Sequence, residues 1–231
     1  MLPEYDVVDL GTKHGNAIAG FLNKGNVALK NIRLHRSLKK GRCVGYEIPK
    51  MEAYRSKVES KGFKFATADL ATDDAIAALP TSRVYLAWHF LEHVPNKSWS
   101  DKLVKASLTN ASKLAWFRLP SFEQDTVNGE GVLRQHGLRF TWTHWAGHPT
   151  HWLVADCRKS IEEWAAANPD RPYDLDIRPA DRINHVDNDR VVPISAPIDT
   201  TVYSASMGPK PKLPRFSPPI VSAWEVIVRF K

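Results

Sequence analysis

Seven short apolar segments of this chain alternate with stretches of helical periodicity, and this alternation restricts the fold more than any other feature. Runs rich in β-branched and aromatic residues and bounded by glycine or proline are typical of buried strands. Strands that alternate with helices predict a mostly parallel sheet with helices on both faces. The predicted strands are residues 5–10, 42–48, 63–68, 83–89, 113–119, 173–177 and 222–230.

Helical patterns fill most of the intervals between these strands. Thr72, followed by Asp73 and Asp74, suits the N-cap and first turn of a helix. Ten of the sixteen prolines fall in residues 169–221, which therefore predict mostly loop. The predicted helices are residues 16–22, 50–60, 72–79, 97–112 and 160–167.

Composition excludes several classes of protein. The chain has 231 residues, 43% hydrophobic and 25% charged, which indicates a globular protein. No apolar run approaches the roughly 20 residues of a membrane span, so no membrane association is expected. The acidic N-terminus does not resemble a signal peptide, and Cys43 and Cys157 are too few for a disulfide framework. A cytoplasmic location is the resulting expectation.

The net charge of +7 comes from one segment. Residues 10–46 contain eight Lys or Arg and no Asp or Glu, and most of these cations lie in a basic insertion at about 24–42. Such a patch either attracts the phosphates of RNA or is a solvated basic loop, and both interpretations stay open. The residues that would contact RNA are Lys30, Arg33, Arg36, Lys39 and Lys40.

A glycine-containing turn follows the first strand, with the sequence Asp9-Leu10-Gly11-Thr12-Lys13-His14-Gly15. Gly11 permits a tight turn, and Gly15 allows a ligand to approach the free N–H groups of a helix N-terminus. The dinucleotide pattern G-x-G-x-x-G is absent, and an acid in this turn would repel a pyrophosphate. Taken alone, the segment is either a cofactor site or a structural turn.

This turn resembles motif I of the class I S-adenosylmethionine-dependent methyltransferases, D/E-x-G-x-G-x-G, with Lys13 in place of the middle glycine. Glu47, after the second strand, matches the family's ribose-binding acid, and Asp69, after the third, matches its adenine-contacting acid. Taken singly, each acid favours a structural role instead: Glu47 as an exposed acid after a strand and Asp69 as the cap of a turn. The fourth strand runs into Leu91-Glu92-His93-Val94-Pro95, which resembles the L-E-H-V-P signature of a small-molecule branch of this family.

The resemblance implies a Rossmann-like class I methyltransferase fold of three α/β/α layers. Its mostly parallel seven-stranded sheet would hold an antiparallel last strand between strands five and six. Residues 1–231 would form a single domain that binds S-adenosylmethionine at the carboxyl ends of the strands. Lys13 would either meet the methionine carboxylate of this cofactor or remain solvated. The cofactor-binding residues implied are Asp9, Gly11, Thr12, Lys13, Gly15, Glu47, Asp69, Leu70, Trp88 and His89.

Residues 136–152 are rich in histidine and tryptophan and are expected to cover an acceptor pocket or to pack as a loop. The lid of the site would be formed by residues 121–160, which include this stretch, and by residues 169–221. No metal site is expected, because H-E-x-x-H is absent and Gly147 and Pro149 interrupt any helix that would align two ligands. The candidates for a general base are His89, His144 and His151.

Three hypotheses for function follow from these features. The first is methyl transfer from S-adenosylmethionine to an O, N or C nucleophile of a small-molecule acceptor. The second is an RNA-directed methyltransferase that uses the basic insertion, and the third is a non-catalytic protein that binds S-adenosylmethionine. DNA amino- and cytosine-C5-methylation are disfavoured, because the D/N/S-P-P-Y/F/W and Pro-Cys motifs are missing. The sequence leaves the acceptor atom and the oligomeric state open, and a homo-oligomer is compatible with it.

Overall fold

The structure of the protein is a computed structural model that describes residues 3–23 and 37–231. Its strands are β1 (Tyr5–Leu10), β2 (Cys43–Glu47), β3 (Lys64–Thr67), β4 (Ser82–Trp88), β5 (Ala111–Pro120), β6 (Leu138–Phe140), β7 (Tyr173–Ile183), β8 (Val191–Pro193) and β9 (Ile220–Phe230). Its α-helices are α1 (Asn16–Asn23), α2 (Arg55–Glu59), α3 (Asp73–Ala77), α4 (Lys97–Asn110), α5 (Glu130–Arg134) and α6 (Val154–Ala167). Short 3-10 helices cover Lys40–Arg42, Pro49–Tyr54, Thr141–His144 and Ala205–Met207.

The main sheet has seven strands in the order β3-β2-β1-β4-β5-β9-β7. The pairs from β3 to β5 are parallel, whereas β9 is antiparallel to both β5 and β7. This confirms the predicted Rossmann-like α/β fold, including an antiparallel last strand between the fifth and sixth strands of the sheet. Because β1 to β5 are parallel, their carboxyl ends meet at one edge of the sheet.

Both faces of the sheet are covered by helices, as the alternation of strands and helices predicts. Val7 packs with Ile18 and Phe21 of α1 on one face, and its neighbour Val8 faces the opposite way, because side chains alternate along a strand. The second face buries Leu103 of α4 and Ile161 of α6. A third apolar cluster lies apart from the sheet faces and joins α5, β6 and β8 to the ends of β7 and β9.

Local signals account for several element boundaries. The hydroxyl of Thr72 accepts a hydrogen bond from the Ala75 N–H, which confirms the predicted cap of α3. Oδ1 of Asn96 accepts hydrogen bonds from the N–H groups of Ser98 and Trp99, and α4 begins there.

Three sequence expectations about elements need correction. The helix predicted at residues 50–60 is a 3-10 helix followed by the short α2, with a break at Met51. The region 169–221 is mostly loop, as predicted, but its strand continues beyond residue 177 to Ile183, and β8 pairs with β6. α6 begins at Val154 rather than at residue 160, because the carboxylates of Asp156 and Glu123 accept hydrogen bonds from its first N–H groups.

Most of the basic insertion, including Lys30, Arg33 and Arg36, lies outside the described residues. Across residues 3–23 and 37–231, none of the helices combines the length and the apolar character needed to cross a bilayer.

Candidate functional site

The turn after β1 is held against the end of β2 by backbone hydrogen bonds. The N–H groups of Gly11 and Thr12 both donate to the Tyr46 carbonyl, at 2.9 and 3.1 Å. Gly11 has φ +71°, and a Cβ at this position would lie 2.4 Å from the ring of Phe90. Glycine is therefore required here both by the backbone angle and by the close approach of Phe90.

Asp9 lies beneath this turn and is 1% exposed. Neither of its carboxylate oxygens has a hydrogen-bond partner of good geometry among the described residues, and the hydroxyl of Thr12 is in the same condition. Burial raises the pKa of Asp9 to about 8, an effect that the nearby Thr12 hydroxyl opposes and the charge of Glu47 reinforces. A buried carboxyl of this kind would gain from a nearby cation.

Glu47 ends β2 and is 6% exposed. Its Oε1 accepts a 2.7 Å hydrogen bond from the N–H of Lys13, and Oε2 accepts a 3.3 Å bond from the N–H of Ile48. Burial raises the pKa of Glu47, and these two bonds act in the opposite direction. Because each carboxylate oxygen has two lone pairs, both oxygens keep capacity for a ligand's hydroxyl groups.

Asp69 follows β3 and forms a turn. Its Oδ1 accepts a hydrogen bond from the N–H of Ala71, and its carbonyl accepts one from the N–H of Thr72. Asp69 therefore acts as a turn cap, one of the two roles considered for it. Its side chain is exposed, while the adjacent Leu70 is buried, and both residues line the same cavity as Glu47.

Two adjoining cavities open at the carboxyl ends of the parallel strands. The first, which we call the Glu47 cavity, measures about 580 Å³ and contains Glu47, Asp69 and Leu70 in its wall. The second, the Trp142 cavity, measures about 500 Å³ and is bounded by Trp88, Trp142 and Arg190. Each lies within the roughly 300–1,000 Å³ of small-molecule sites. The residues common to both are Gly11, Lys13, His89, His93 and Trp145.

Two of these shared residues have an unusual backbone conformation. Lys13 has φ +47° and His89 has φ +53°, and they are the non-glycine residues with positive φ in the described part of the chain. The left-handed region costs roughly 1–3 kcal/mol for a residue with a Cβ, and such strain concentrates at functional sites. Both strained residues lie where the Glu47 cavity and the Trp142 cavity meet.

The loop of residues 141–152 is fixed over the turn between β4 and α4. The N–H of Thr150 donates to the Glu92 carbonyl, and its hydroxyl donates to the Val94 carbonyl at 2.7 Å. Farther along the cavity wall, the indole N–H of Trp142 donates to the Ser121 carbonyl at 2.8 Å. Trp142 lies in the wall of the Trp142 cavity, and Trp145 lies in the walls of both cavities. The region 169–221 contributes Arg190 and Thr201.

The three histidines considered as general bases lie in different places. His89 lines both cavities and its side chain is 46% exposed. His144 is 3.0 Å from the guanidinium of Arg134, and His151 stacks on Phe122 with ring centroids 4.5 Å apart. Burial lowers the pKa of both His144 and His151. Neither of these two is in the wall of either cavity.

The structure brings together three other side chains that the sequence analysis did not assign to the site. The ligand atoms of Glu92, His93 and His148 all lie within 4.8 Å of one another. The rings of His93 and His148 meet edge to face, with centroids 4.6 Å apart, and Trp145 contacts both. Glu92 and His93 were visible as part of the L-E-H-V-P segment. His148 was one of several loop histidines, and no local pattern distinguished it.

The described part of the basic insertion lies away from both cavities. Lys39 and Lys40 precede β2, whereas Glu47 ends it. The strand between these positions spans roughly 13 Å at about 3.3 Å per residue. Lys39 and Lys40 are therefore at the amino edge of the sheet, opposite the edge that carries the cavities.

Comparison with solved structures identifies the fold. A SAM-dependent methyltransferase from Archaeoglobus fulgidus aligns with 97% of this chain and 86% of its own length, at 12% identity and a TM-score of 0.56. The small RNA methyltransferase HEN1 aligns with 100% of this chain at 13% identity and a TM-score of 0.55. An O-methyltransferase family protein from Burkholderia thailandensis aligns with 97% at 10% identity and a TM-score of 0.55.

This chain spans only 23% of the HEN1 chain and 50% of the Burkholderia protein. No protein-family model and no curated protein sequence matches it. At 10–13% identity these likenesses show that the chain has the class I methyltransferase fold. Activity has to be argued from the site itself.

Proposed function

We propose that this protein is an S-adenosylmethionine-dependent methyltransferase whose acceptor is a small molecule. The observation that carries the proposal is the pair of adjoining cavities at the carboxyl ends of β1, β2, β3 and β4. In doubly wound sheets this edge is where ligands bind. The fold and the solved methyltransferases similar to it support methyl transfer from S-adenosylmethionine, and the choice of a small-molecule acceptor rests on the cavities.

The residues of the Glu47 cavity fit the nucleoside half of S-adenosylmethionine. The carboxylate of Glu47 keeps lone pairs for two ribose hydroxyls, and Leu70 offers a buried apolar wall beside Asp69. Gly11 lets the turn pack closely on Phe90 and lies in the wall of the same cavity. The buried carboxyl of Asp9, which has no hydrogen-bond partner of good geometry among the described residues, would favour a positively charged ligand nearby.

S-adenosylmethionine supplies a methyl group carried on a sulfonium, and S-adenosylhomocysteine leaves when an acceptor attacks the methyl carbon in line. The protein's part is to align donor and acceptor and to exclude water. In this proposal Lys13 and His89 lie where the cofactor and the acceptor meet, and Trp142 and Trp145 cover the acceptor. Residues 1–231 then act as one domain, with residues 121–160 and 169–221 around the acceptor.

Calorimetric titration with S-adenosylmethionine and S-adenosylhomocysteine tests the proposal. Glu47→Ala should weaken binding by about tenfold to a hundredfold, because hydrogen bonds to a charged group contribute roughly 1.5–3 kcal/mol. Glu47→Gln keeps an oxygen for the N–H of Lys13 and should lose less. The matched control is Glu52→Gln at an exposed position outside the wall of the Glu47 cavity.

Two outcomes would contradict the proposal. Absence of binding by folded wild-type protein would remove the cofactor site. Binding without formation of S-adenosylhomocysteine across a panel of hydroxyl, amine and carbon acceptors would favour the non-catalytic alternative.

A further inference from the structure

Glu92 has a buried carboxylate with one oxygen that lacks a hydrogen-bond partner among the described residues. It lies in the turn between β4 and α4 and is 1% exposed. Its Oε2 has no hydrogen-bond partner among the described residues, and its Oε1 is 3.7 Å from Nδ1 of His89. An unsatisfied buried carboxylate is costly, and a positive charge beside it would offset that cost.

The two histidines next to Glu92 are oriented by backbone carbonyls. Nδ1 of His93 is 2.7 Å from the Gly147 carbonyl, and Nδ1 of His148 is 3.0 Å from the Trp142 carbonyl. Because a carbonyl can only accept, Nδ1 carries the hydrogen in both rings, and in the neutral form of each ring this leaves the lone pair of Nε2 for an ion. This is the orientation that carbonyl groups impose on metal-binding histidines.

From this geometry we infer that Glu92, His93 and His148 form a binding site for a divalent first-row transition-metal ion. The mutual separation of their ligand atoms, within 4.8 Å, is close to what bonds of about 2.0–2.2 Å around one ion allow, so a small inward movement completes the site. Two imidazoles and one carboxylate suit Zn²⁺, Mn²⁺ or Fe²⁺ and leave coordination positions open.

The position of this site indicates the chemistry that an ion there would serve. Glu92, His93 and His148 line the Trp142 cavity, and His93 also lines the Glu47 cavity. An ion held by them would therefore contact an acceptor beside the cofactor's methyl group. This step rests on the proposed methyltransferase function and deepens it.

The acceptor that such a site fits is a hydroxyl compound. Coordination to a divalent ion lowers the pKa of a hydroxyl, so the oxygen becomes a better nucleophile near neutral pH. The O–H proton passes to water, a new O–C bond forms, and the S–C bond of S-adenosylmethionine breaks with its electrons left on sulfur. The products are a methyl ether and S-adenosylhomocysteine. Amines lose their proton after attack and have less need of the ion.

The test is calorimetric titration of chelator-treated protein with MnCl₂ and, separately, with ZnCl₂. Wild type should bind one equivalent of at least one of these ions, and His148→Ala should weaken binding at least about 100-fold, since even indirect partners of a metal contribute 10- to 100-fold. His93→Ala should behave similarly and, at an exposed position, is the safer variant for folding. His136→Ala, at an exposed position outside both cavities, is the matched control.

Titration of the same preparations with S-adenosylmethionine separates the two proposals. If wild type binds the cofactor but neither ion at millimolar concentration, the metal site is overturned and the cofactor site stands. If an ion binds equally to wild type, His93→Ala and His148→Ala, its site lies elsewhere and the inference is again overturned. If the folded wild type does not bind the cofactor, the proposed function fails whatever the metal titration shows.

Discussion

The backbone N–H of Lys13 donates a 2.7 Å hydrogen bond to Oε1 of Glu47. The bond connects the two motifs that resemble the cofactor site, because the acid at the end of β2 also shapes the turn after β1. The bond comes from the backbone, so it is available to a lysine as well as to the glycine of the resembled pattern. Lys13 adopts φ +47°, and its amide is fixed on Glu47.

The two unusual positions of this turn should respond differently to substitution. Gly11→Ala should lower the free energy of unfolding by about 2 kcal/mol or more, because φ +71° and the 2.4 Å approach of Phe90 both oppose a Cβ. Lys13→Gly should change it by no more than about 1 kcal/mol, since relief of strain and the greater freedom of the unfolded chain nearly cancel. Urea denaturation measures both, and equal losses for the two variants would contradict the strain argument.

Asp9 should make stability depend on pH. The pKa of Asp9 is about 8 in the folded protein and about 3.9 when unfolded, so between these values only the folded chain keeps the proton. The free energy of unfolding of the wild type should therefore fall as pH rises from 5 to 8. Asp9→Asn has no carboxyl group to titrate at this position, so it should not share this loss. The free energy of unfolding of Asp9→Asn minus that of the wild type should therefore increase from pH 5 to pH 8.

Urea denaturation at pH 5 and pH 8 measures this difference. Asp199→Asn, at an exposed loop position, is the matched control for loss of one carboxyl group. A constant difference between Asp9→Asn and wild type at the two pH values would show that Asp9 is ionised in the folded protein.

Glu130 should stabilise the junction between β6 and the loop of residues 141–152, which we propose covers the acceptor. Its buried carboxylate accepts hydrogen bonds from the N–H of Phe140 and the hydroxyl of Thr143, and it pairs with Arg134. Glu130→Ala should lower the free energy of unfolding by at least about 2 kcal/mol, because it leaves buried donors unpaired. Glu162→Ala, exposed on α6, should change it by less than about 0.5 kcal/mol. Thermal or urea unfolding of both variants measures these changes. A loss of less than about 0.5 kcal/mol for Glu130→Ala would contradict the stabilising role of Glu130.

Charge reversal in the basic insertion distinguishes the small-molecule proposal from the RNA alternative. Lys39 and Lys40 lie at the edge of the sheet opposite the cavities, so their reversal should leave S-adenosylmethionine affinity unchanged within about twofold. Turnover of a small hydroxyl acceptor should also be unaffected. The variant to test combines Arg33→Glu, Arg36→Glu, Lys39→Glu and Lys40→Glu.

The informative measurement is formation of S-adenosylhomocysteine with a small acceptor and with RNA. Turnover that requires RNA and disappears in the charge-reversed variant, with cofactor binding intact, would favour an RNA-directed enzyme instead.

Strands and caps with strong local signals were predictable from the sequence. β1 matches its predicted range of 5–10, and Thr72 caps α3 as expected, because β-branched runs and a hydroxyl before acidic residues act within a few residues. The full length of β7 was not predictable. Its second half pairs with β9, and Arg178 reaches Glu225 across the two strands at 2.9 Å.

By itself the sequence determined the alternation of strands and helices, the glycine turn after β1 and the acids at the strand ends, because each depends on neighbouring residues. Only the tertiary structure decided which histidines face the cavities. His93 and Gly147 are 54 residues apart in the chain and are joined by a hydrogen bond. The same packing places His148 beside Glu92 and directs His144 to Arg134. Such contacts depend on the packing of segments that are distant in the chain, so periodicity and motif spacing do not predict them.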